Sequence, residues 1–146
     1  MGYDPAEVRA RREKVREGGG PKRIAAQHAR GKLTARERLS LFLDKGSFQE
    51  VQGYRTHRFT DPAMKVPEFE GDSVVTGFGK VDGRMVAIYA QDFTVVGGTF
   101  SEAQAQKICQ IMDLAIEAGV PEWRCTVMQL IVPRGERRGG RGRDYR

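Results

Sequence analysis

Long apolar runs are missing from this 146-residue chain. None approaches the roughly 20 residues that cross a bilayer, so no spanning helix is expected. The opening stretch, MGYDPAEVRARREKVREGGG, also lacks an apolar segment of signal-peptide type. It is rich in Arg, but Asp4, Glu7, Glu13 and Glu17 argue against a transit peptide. The expected location is cytoplasmic. Cysteine is scarce. Cys109 and Cys125 have neither metal-ligand spacing nor the count of a disulfide framework, and they read as buried free thiols. Histidine is scarce too: His28 and His57 lie far apart, without acidic or cysteine neighbours at ligand spacing. Neither reads as catalytic, and no metal site is expected.

Charge is present but unevenly placed. Of the formal net charge of +6, the segment Arg134–Arg146 supplies +4, from six Arg against Glu136 and Asp144. The basic balance therefore belongs to the last residues and says little about what the folded part binds. A single basic Arg/Gly run with only Tyr145 as an aromatic is a weak nucleic-acid signal, so nucleic acid is not the expected partner.

The strongest local pattern lies between Gly71 and Pro121. Ser73–Lys80 and Arg84–Gln91 read as two strands carrying Val74, Val75, Met85, Val86, Ile88 and Tyr89. Val81-Asp82-Gly83 between them suits a tight hairpin, because Asp-Gly tolerates positive φ. After a loop from Phe93 to Phe100, two spacings of capping-box type, Thr99/Glu102 and Ser101/Gln104, mark a helix start. Ile108, Ile111, Met112, Ala115 and Ile116 follow the period of one buried face. Gly119 is placed to end the helix, and Pro121 prevents its resumption. The result is a ββα unit. A second strand this apolar is expected to be covered on both faces, and the helix to lead into a further parallel strand beyond Pro121. The run Thr126–Val132 has the composition to supply it.

Earlier in the chain, Asp4 and Pro5 open a charge-dense helix over Ala6–Glu17, and Gly18-Gly19-Gly20 breaks it. Lys22–Arg30 reads as a second short helix. Thr34 and Glu37 form a capping box for a third, running to about Leu43 with Leu39, Phe42 and Leu43 as its apolar face. Lys32, Arg36 and Arg38 can meet the phosphates of a nucleotide-like ligand, but a solvated face is the more ordinary use of such residues. Ser47–Tyr54 reads as a strand, and Arg55–Glu70, broken by Pro62 and Pro67, as an irregular excursion.

One local feature can touch a ligand. Gly97 and Gly98 stand directly before a helix start, where backbone N–H groups can approach an anion or a carbonyl oxygen. A tight loop is the plainer reading of the same pair. Gln91 and Asp92, at the end of the second strand, stand where open α/β sheets place ligand contacts.

RGKLTARERLSLFLDKGSF (Arg30–Phe48), GDSVVTGFG (Gly71–Gly79) and AQDFTVVGGTFSEAQAQKICQIMDLAIEAGVP (Ala90–Pro121) resemble the biotin-dependent acyl-CoA carboxyltransferases. The likeness runs from Ala6 to Pro121. It is greatest to the propionyl-CoA carboxylase β subunit and the methylmalonyl-CoA decarboxylase carboxyltransferase. The resemblance implies an α/β fold, the start of a crotonase-like ββα spiral preceded by N-terminal helices and incomplete at this length. Three segments follow: an N-terminal helical arm over 1–33, the opening of the carboxyltransferase N-terminal domain over 34–121, and an aberrant basic tail over 122–146. The implied activity is carboxyl transfer from carboxybiotin to propionyl-CoA or a similar acyl-CoA, in a homo-oligomeric enzyme. The implied partners are acyl-CoA and a biotin carboxylase or biotin carrier subunit. No biotinyl-lysine motif is present, so biotin is expected on a separate carrier and no cofactor is expected on this chain. The implied acyl-CoA-binding residues are Gln91, Asp92, Gly97 and Gly98, with no side chain assigned as catalytic.

The family continues after the helix into a DSGGAR-type segment, whose backbone N–H groups stabilise the thioester enolate. Here the chain reads EWRCTVMQLIVPRGERRGGRGRDYR instead. Codons can be chosen for Arg134–Arg146 that, read one base later, give Gly-Ala-Ser-Val-Glu-Glu-Gly-Val-Asp-Ala-Ile-Ile. That string resembles the family's sequence after the first glycine of the motif. A frameshift between Pro121 and Pro133 is therefore expected, and with it a chain that is inactive alone. Two alternatives differ in kind: a non-catalytic fragment that docks on intact oligomers, and a small binding protein with an Arg/Gly nucleic-acid-binding tail.

Overall fold

A computed structural model describes residues 4–56, 69–99, 101–120 and 122–125, the last four by backbone. His57, Pro62, Pro67, Phe100, Pro121, the run Thr126–Val132 and the tail Arg134–Arg146 lie outside these residues. Three helices come first: α1 (Pro5–Arg16), α2 (Pro21–Ala29) and α3 (Ala35–Phe42). Strands β1 (Gln49–Val51), β2 (Val74–Val81) and β3 (Arg84–Gln91) follow, then α4 (Glu102–Ala118) and β4 (Glu122–Cys125). The sheet is ordered β1-β2-β3-β4, antiparallel as far as β3 and parallel between β3 and β4.

The hairpin forms where Asp-Gly chemistry puts it. Asp82 and Gly83 take φ of 51° and 78°, and Val81 pairs with Arg84 across them. A side chain distant in sequence completes the turn: Asp44, just after α3, accepts from the Asp82 and Gly83 N–H groups at 3.1 and 2.8 Å. The Asp44 N–H in turn donates to the Lys80 carbonyl at 2.8 Å. The stop signal at the end of α3 is thus also the clasp that holds the helix to the hairpin.

β3 is covered on both faces, as its apolar content requires. Val86, Ile88 and Ala90 pack with Val75 against Ala35, Leu39 and Leu43, on the α3 side. Ala87 and Tyr89 pack with Val74 against Ile108, Ile111 and Ala115, on the α4 side. α4 starts at Ser101, whose Oγ accepts from the Gln104 N–H at 3.0 Å, and ends at a left-handed Gly119. The Thr99 hydroxyl does not cap the helix; it donates to the Val96 carbonyl at 2.6 Å.

Several expectations need correction. The strand after Ser47 spans only Gln49–Val51, because Gln52 turns to φ 59°. The further parallel strand expected beyond Pro121 does form, at Glu122–Cys125, while the run Thr126–Val132 lies outside the described residues. Phe42 is half exposed, so of the three residues expected on the apolar face only Leu39 and Leu43 are buried, alongside Ala35. Cys109 is exposed. Met112 and Ile116 are 40% and 79% exposed, so they lie off the buried stripe of α4.

Gln104 and Lys107 occupy that stripe instead, at 0% and 1% exposure. A count of apolar residues passes over them. Lys107 is admitted because two carbonyls at the start of β2 need a donor: its Nζ donates to Gly71 O at 2.7 Å and to Val74 O at 2.5 Å. Burial lowers its pKa from the ordinary 10.5 to about 8, against the opposing pull of Glu50 and Asp72. The amide of Gln104 finds no such partner, as both its polar atoms are buried without a hydrogen bond among the described residues.

Two outcomes are expected. Ile111→Ala should cost about 2–5 kcal/mol of stability in denaturant titration. Ile116→Ala should stay within about 0.5 kcal/mol, as for a surface position. Equal losses would place the buried stripe wrongly. The second outcome concerns Lys107, whose folded pKa lies below its unfolded one. Between those two values the unfolded chain holds more protons, so stability should rise as pH increases from about 8 to 10.5. Lys107→Met should flatten this rise, and an unchanged profile would contradict the burial of the amine.

Candidate acyl-CoA loop

Residues 91–99 leave the C-terminal end of β3 and lead to α4. The loop is tied down at its start, where the Asp92 N–H donates to the Ser73 carbonyl at 2.7 Å. Gln91 adds a second tie, its carbonyl accepting from the buried Arg38 guanidinium. Arg38 is therefore a strut within the fold and not part of a solvated face. Arg36 is likewise engaged, gripping Glu50 through bonds of 2.8 and 2.9 Å. His28 contacts an acid after all, Glu37 Oε2 at 2.9 Å, at the exposed start of α3. Burial disfavours ionisation of Glu37, but hydrogen bonds from His28 and Thr34 outweigh it and hold the carboxyl below its usual value.

The four residues marked in the sequence share this loop but differ in what they do there. Asp92 is 5% exposed, and its Oδ1 accepts from the Thr94 N–H at 2.9 Å and the Thr94 hydroxyl at 2.6 Å. This is an Asx-type turn: the carboxylate shapes the loop from inside. The turn is also a seat for the N-terminal arm. Gly19 donates its N–H to Thr94 Oγ1 at 3.0 Å, and a Cβ on Gly19 would lie 1.9 Å from the Thr94 carbonyl oxygen. Only glycine lets the two backbones approach this closely. The Gln91 side chain is half-buried and makes no hydrogen bond among the described residues.

Gly97 and Gly98 lie in a single 3-10 turn, Val96–Gly98. Val96, Gly97 and Gly98 have φ of 45°, 66° and 74°, three left-handed residues in succession. For the β-branched Val96 this is a strained conformation, of the order of 1–3 kcal/mol. Gly97 is exposed, whereas Gly98 lies under the Phe93 ring, 3.0 Å from where a Cβ would stand. Within the turn, the N–H groups of Val95, Gly98 and Thr99 donate to Asp92, Val95 and Val96 carbonyls. Those of Val96 and Gly97 donate to nothing among the described residues. Successive backbone N–H groups in this conformation form a concavity suited to an anion or a polarised carbonyl oxygen. The start of α4 is otherwise employed, with Ser101 capping it and donating to Asp72. Nothing in the sequence singled out Val96, since a β-branched residue is among the least expected at positive φ.

The loop lies at the end of the sheet where open α/β folds place ligand contacts. β1, β3 and β4 run in one direction, and the loop follows their C-terminal ends. Among the described residues, no group of His, Cys, Asp and Glu could hold a metal ion, and no helix is long and apolar enough to cross a membrane.

The carboxyl transferase domain model matches residues 26–128. The propionyl-CoA carboxylase beta chain of Cereibacter sphaeroides is 55% identical over 115 residues, 79% of this chain and 22% of that protein. The mitochondrial propionyl-CoA carboxylase beta chain of Homo sapiens is 58% identical over 106 residues, 71% of this chain and 20% of its own length. Methylmalonyl-CoA decarboxylase subunit alpha of Propionigenium modestum is 48% identical over 115 residues, again 79% of this chain and 22% of that one. Among solved structures, transcarboxylase 12S, a hexamer with methylmalonyl-coenzyme A and methylmalonic acid bound, matches with a TM-score of 0.78 and 38% identity. That match covers 85% of this chain and 25% of the other, whose fold is crotonase-like. The chain thus spans about a fifth of the length of the curated relatives it matches. With more than half of its residues matched by the family model, this chain belongs to the carboxyl transferase domain family.

Proposed function

We propose that the whole protein carboxylates propionyl-CoA or a similar short acyl-CoA, and that this chain contributes one wall of the acyl-CoA pocket. The observation that carries the second part is the pair of N–H groups on Val96 and Gly97 that donate to nothing among the described residues, in a strained left-handed turn after the C-terminal end of β3. Loss of the α-proton from a thioester moves negative charge onto its carbonyl oxygen. Fixed backbone donors stabilise that charge without reorganising. In this reading Val96 and Gly97 offer such donors, Gly98 and Asp92 hold the turn in shape, and Gln91 stands at its edge. No described side chain is assigned as acid, base or nucleophile.

Biotin, brought on a separate carrier or carboxylase subunit, would supply the CO2, and none of the described residues is assigned to hold it. The enzyme would work as a homo-oligomer, and a cytoplasmic location suits it. The relatives' names support the substrate class, and the transcarboxylase 12S structure contains a coenzyme A thioester of the same kind. The remaining donors of the site would lie in the glycine-rich segment that resembling proteins carry after the helix, in place of the sequence here beyond Pro121. Loss of one such donor costs about 10²–10³ in rate, so this chain by itself should not turn over.

Two measurements test the proposal. The 146-residue chain should give no propionyl-CoA-dependent carboxyl transfer above a blank without protein, and any such transfer would refute its predicted inertness. In an amide NMR titration with propionyl-CoA, the Val96 and Gly97 signals should move more than those of the hairpin turn at Asp82 and Gly83. Movement at the hairpin alone would sink the loop assignment.

A further inference from the structure

A second concave feature lies beside the loop's end of the sheet, between α1, α3 and β1. It is a cleft of about 410 Å³, within the range of small-molecule sites. Its walls include Arg12, Arg16, Arg36, Phe48 and Tyr54, and among the described residues that line it the one acidic side chain is Glu50. That carboxylate is already committed to Arg36 through two bonds of 2.8 and 2.9 Å. Arg36 is thereby held still, with a further contact of 3.4 Å to the Val15 carbonyl. Arg12 makes no hydrogen bond or ion pair among the described residues. Among the described residues Arg16 shares its charge only with Glu13, in an exposed pair of 3.0 Å on the same helix. Such pairs are weak, so Arg16 is free to exchange its partner.

Three guanidinium groups against one neutralised carboxylate leave a surplus of positive charge in a confined space. Arg12 and Arg16 are four residues apart and so share one face of α1. Buried Val15 beside them anchors that helix, 3.8 Å from where a Cβ on Gly71 would stand. Guanidinium forks match phosphate oxygens in pairs, and that match makes arginine the usual residue for such groups. Phe48 adds apolar surface that a planar base can lie against, beside Tyr54, whose ring carries the Arg11 guanidinium 5.1 Å from its centroid. The pairing of Val51 with Thr76 puts the end of β1, and with it this cleft, at the same end of the sheet as the 91–99 loop.

We propose that the cleft binds the adjacent phosphates of an adenine nucleotide, with Arg12 and Arg16 as the binding residues and Arg36 fixed beside them by Glu50. This chemistry has two sources: the nucleotide end of a coenzyme A thioester, and a free adenine nucleotide. The first rests on the acyl-CoA reading above, and the second does not.

Calorimetric titration of the full 146-residue chain with coenzyme A, ADP and adenosine separates them. Coenzyme A and ADP should bind, while adenosine, which has no phosphate, should not. Arg12→Ala combined with Arg16→Ala should weaken binding by about tenfold or more, the scale of losing charge-assisted hydrogen bonds. Arg9→Ala, on exposed α1 outside the cleft, should change nothing, and circular dichroism should report an intact fold for all variants. The single Arg12→Gln change, conservative in length, should give a smaller loss in the same direction if the double variant is unstable. Coenzyme A binding that the Arg12 and Arg16 changes leave untouched would overturn the cleft and spare the acyl-CoA reading. ADP binding that those changes abolish, with none to coenzyme A, would support the cleft and count against that reading. Absence of binding by either phosphate ligand would overturn the cleft.

Discussion

The two-sided burial of β3 is the constraint on which the remainder of the structure depends. A strand whose alternate residues, Val86, Ile88 and Ala90 against Ala87 and Tyr89, are apolar on both faces must be covered twice. α3 covers one side and α4 the other. The chain therefore has to leave β3 at Gln91, cross over the sheet and come back as a helix before β4 can pair beside it. The 91–99 loop is the first part of that crossing, and so it sits at the C-terminal end of the strand. The position of the candidate site is a consequence of how the core is closed.

Polar groups then decide the shape of that end of the sheet. Where the ladder stops, backbone groups lose their partners, and buried side chains supply replacements. Lys107 takes the Gly71 and Val74 carbonyls, and Arg38 takes that of Gln91. Asp92 accepts from Thr94, which receives Gly19 from the N-terminal arm. Each of these residues looks like surface in a one-dimensional reading and is interior in fact. Against this well-satisfied background, the Val96 and Gly97 N–H groups stand out because they alone in the turn's left-handed stretch give no bond within the described fold. Strain in a β-branched residue persists where neighbours over-determine the backbone. Here the ties at Asp92, Gln91 and the Phe93 ring do so.

Local chemistry was legible wherever a residue's preference and its neighbours in sequence suffice. The Asp82-Gly83 hairpin, the Thr34 and Ser101 caps, the Gly119 stop and the alternation along β3 all follow from short-range rules, and the structure places them accordingly. The family resemblance, too, rests on contiguous stretches of sequence. The loop that carries Gln91, Asp92, Gly97 and Gly98 could be marked, but not the division of labour within it, because Asp92 turns inward only when Thr94 and the N-terminal arm meet it.

What the tertiary structure alone decided were matters of partnership across long separations. Met112 and Ile116 fit the helical period as well as Gln104 and Lys107 do, and apolarity favours them. The buried stripe nevertheless runs through Lys107, because the start of β2 presents two carbonyls that only a long cationic side chain can reach. Asp44 reads as a helix stop and serves as a clasp on the hairpin some forty residues later. Periodicity records which residues share a face. Which face is buried depends on the donors and acceptors waiting opposite, and these are assembled only when distant segments pack together.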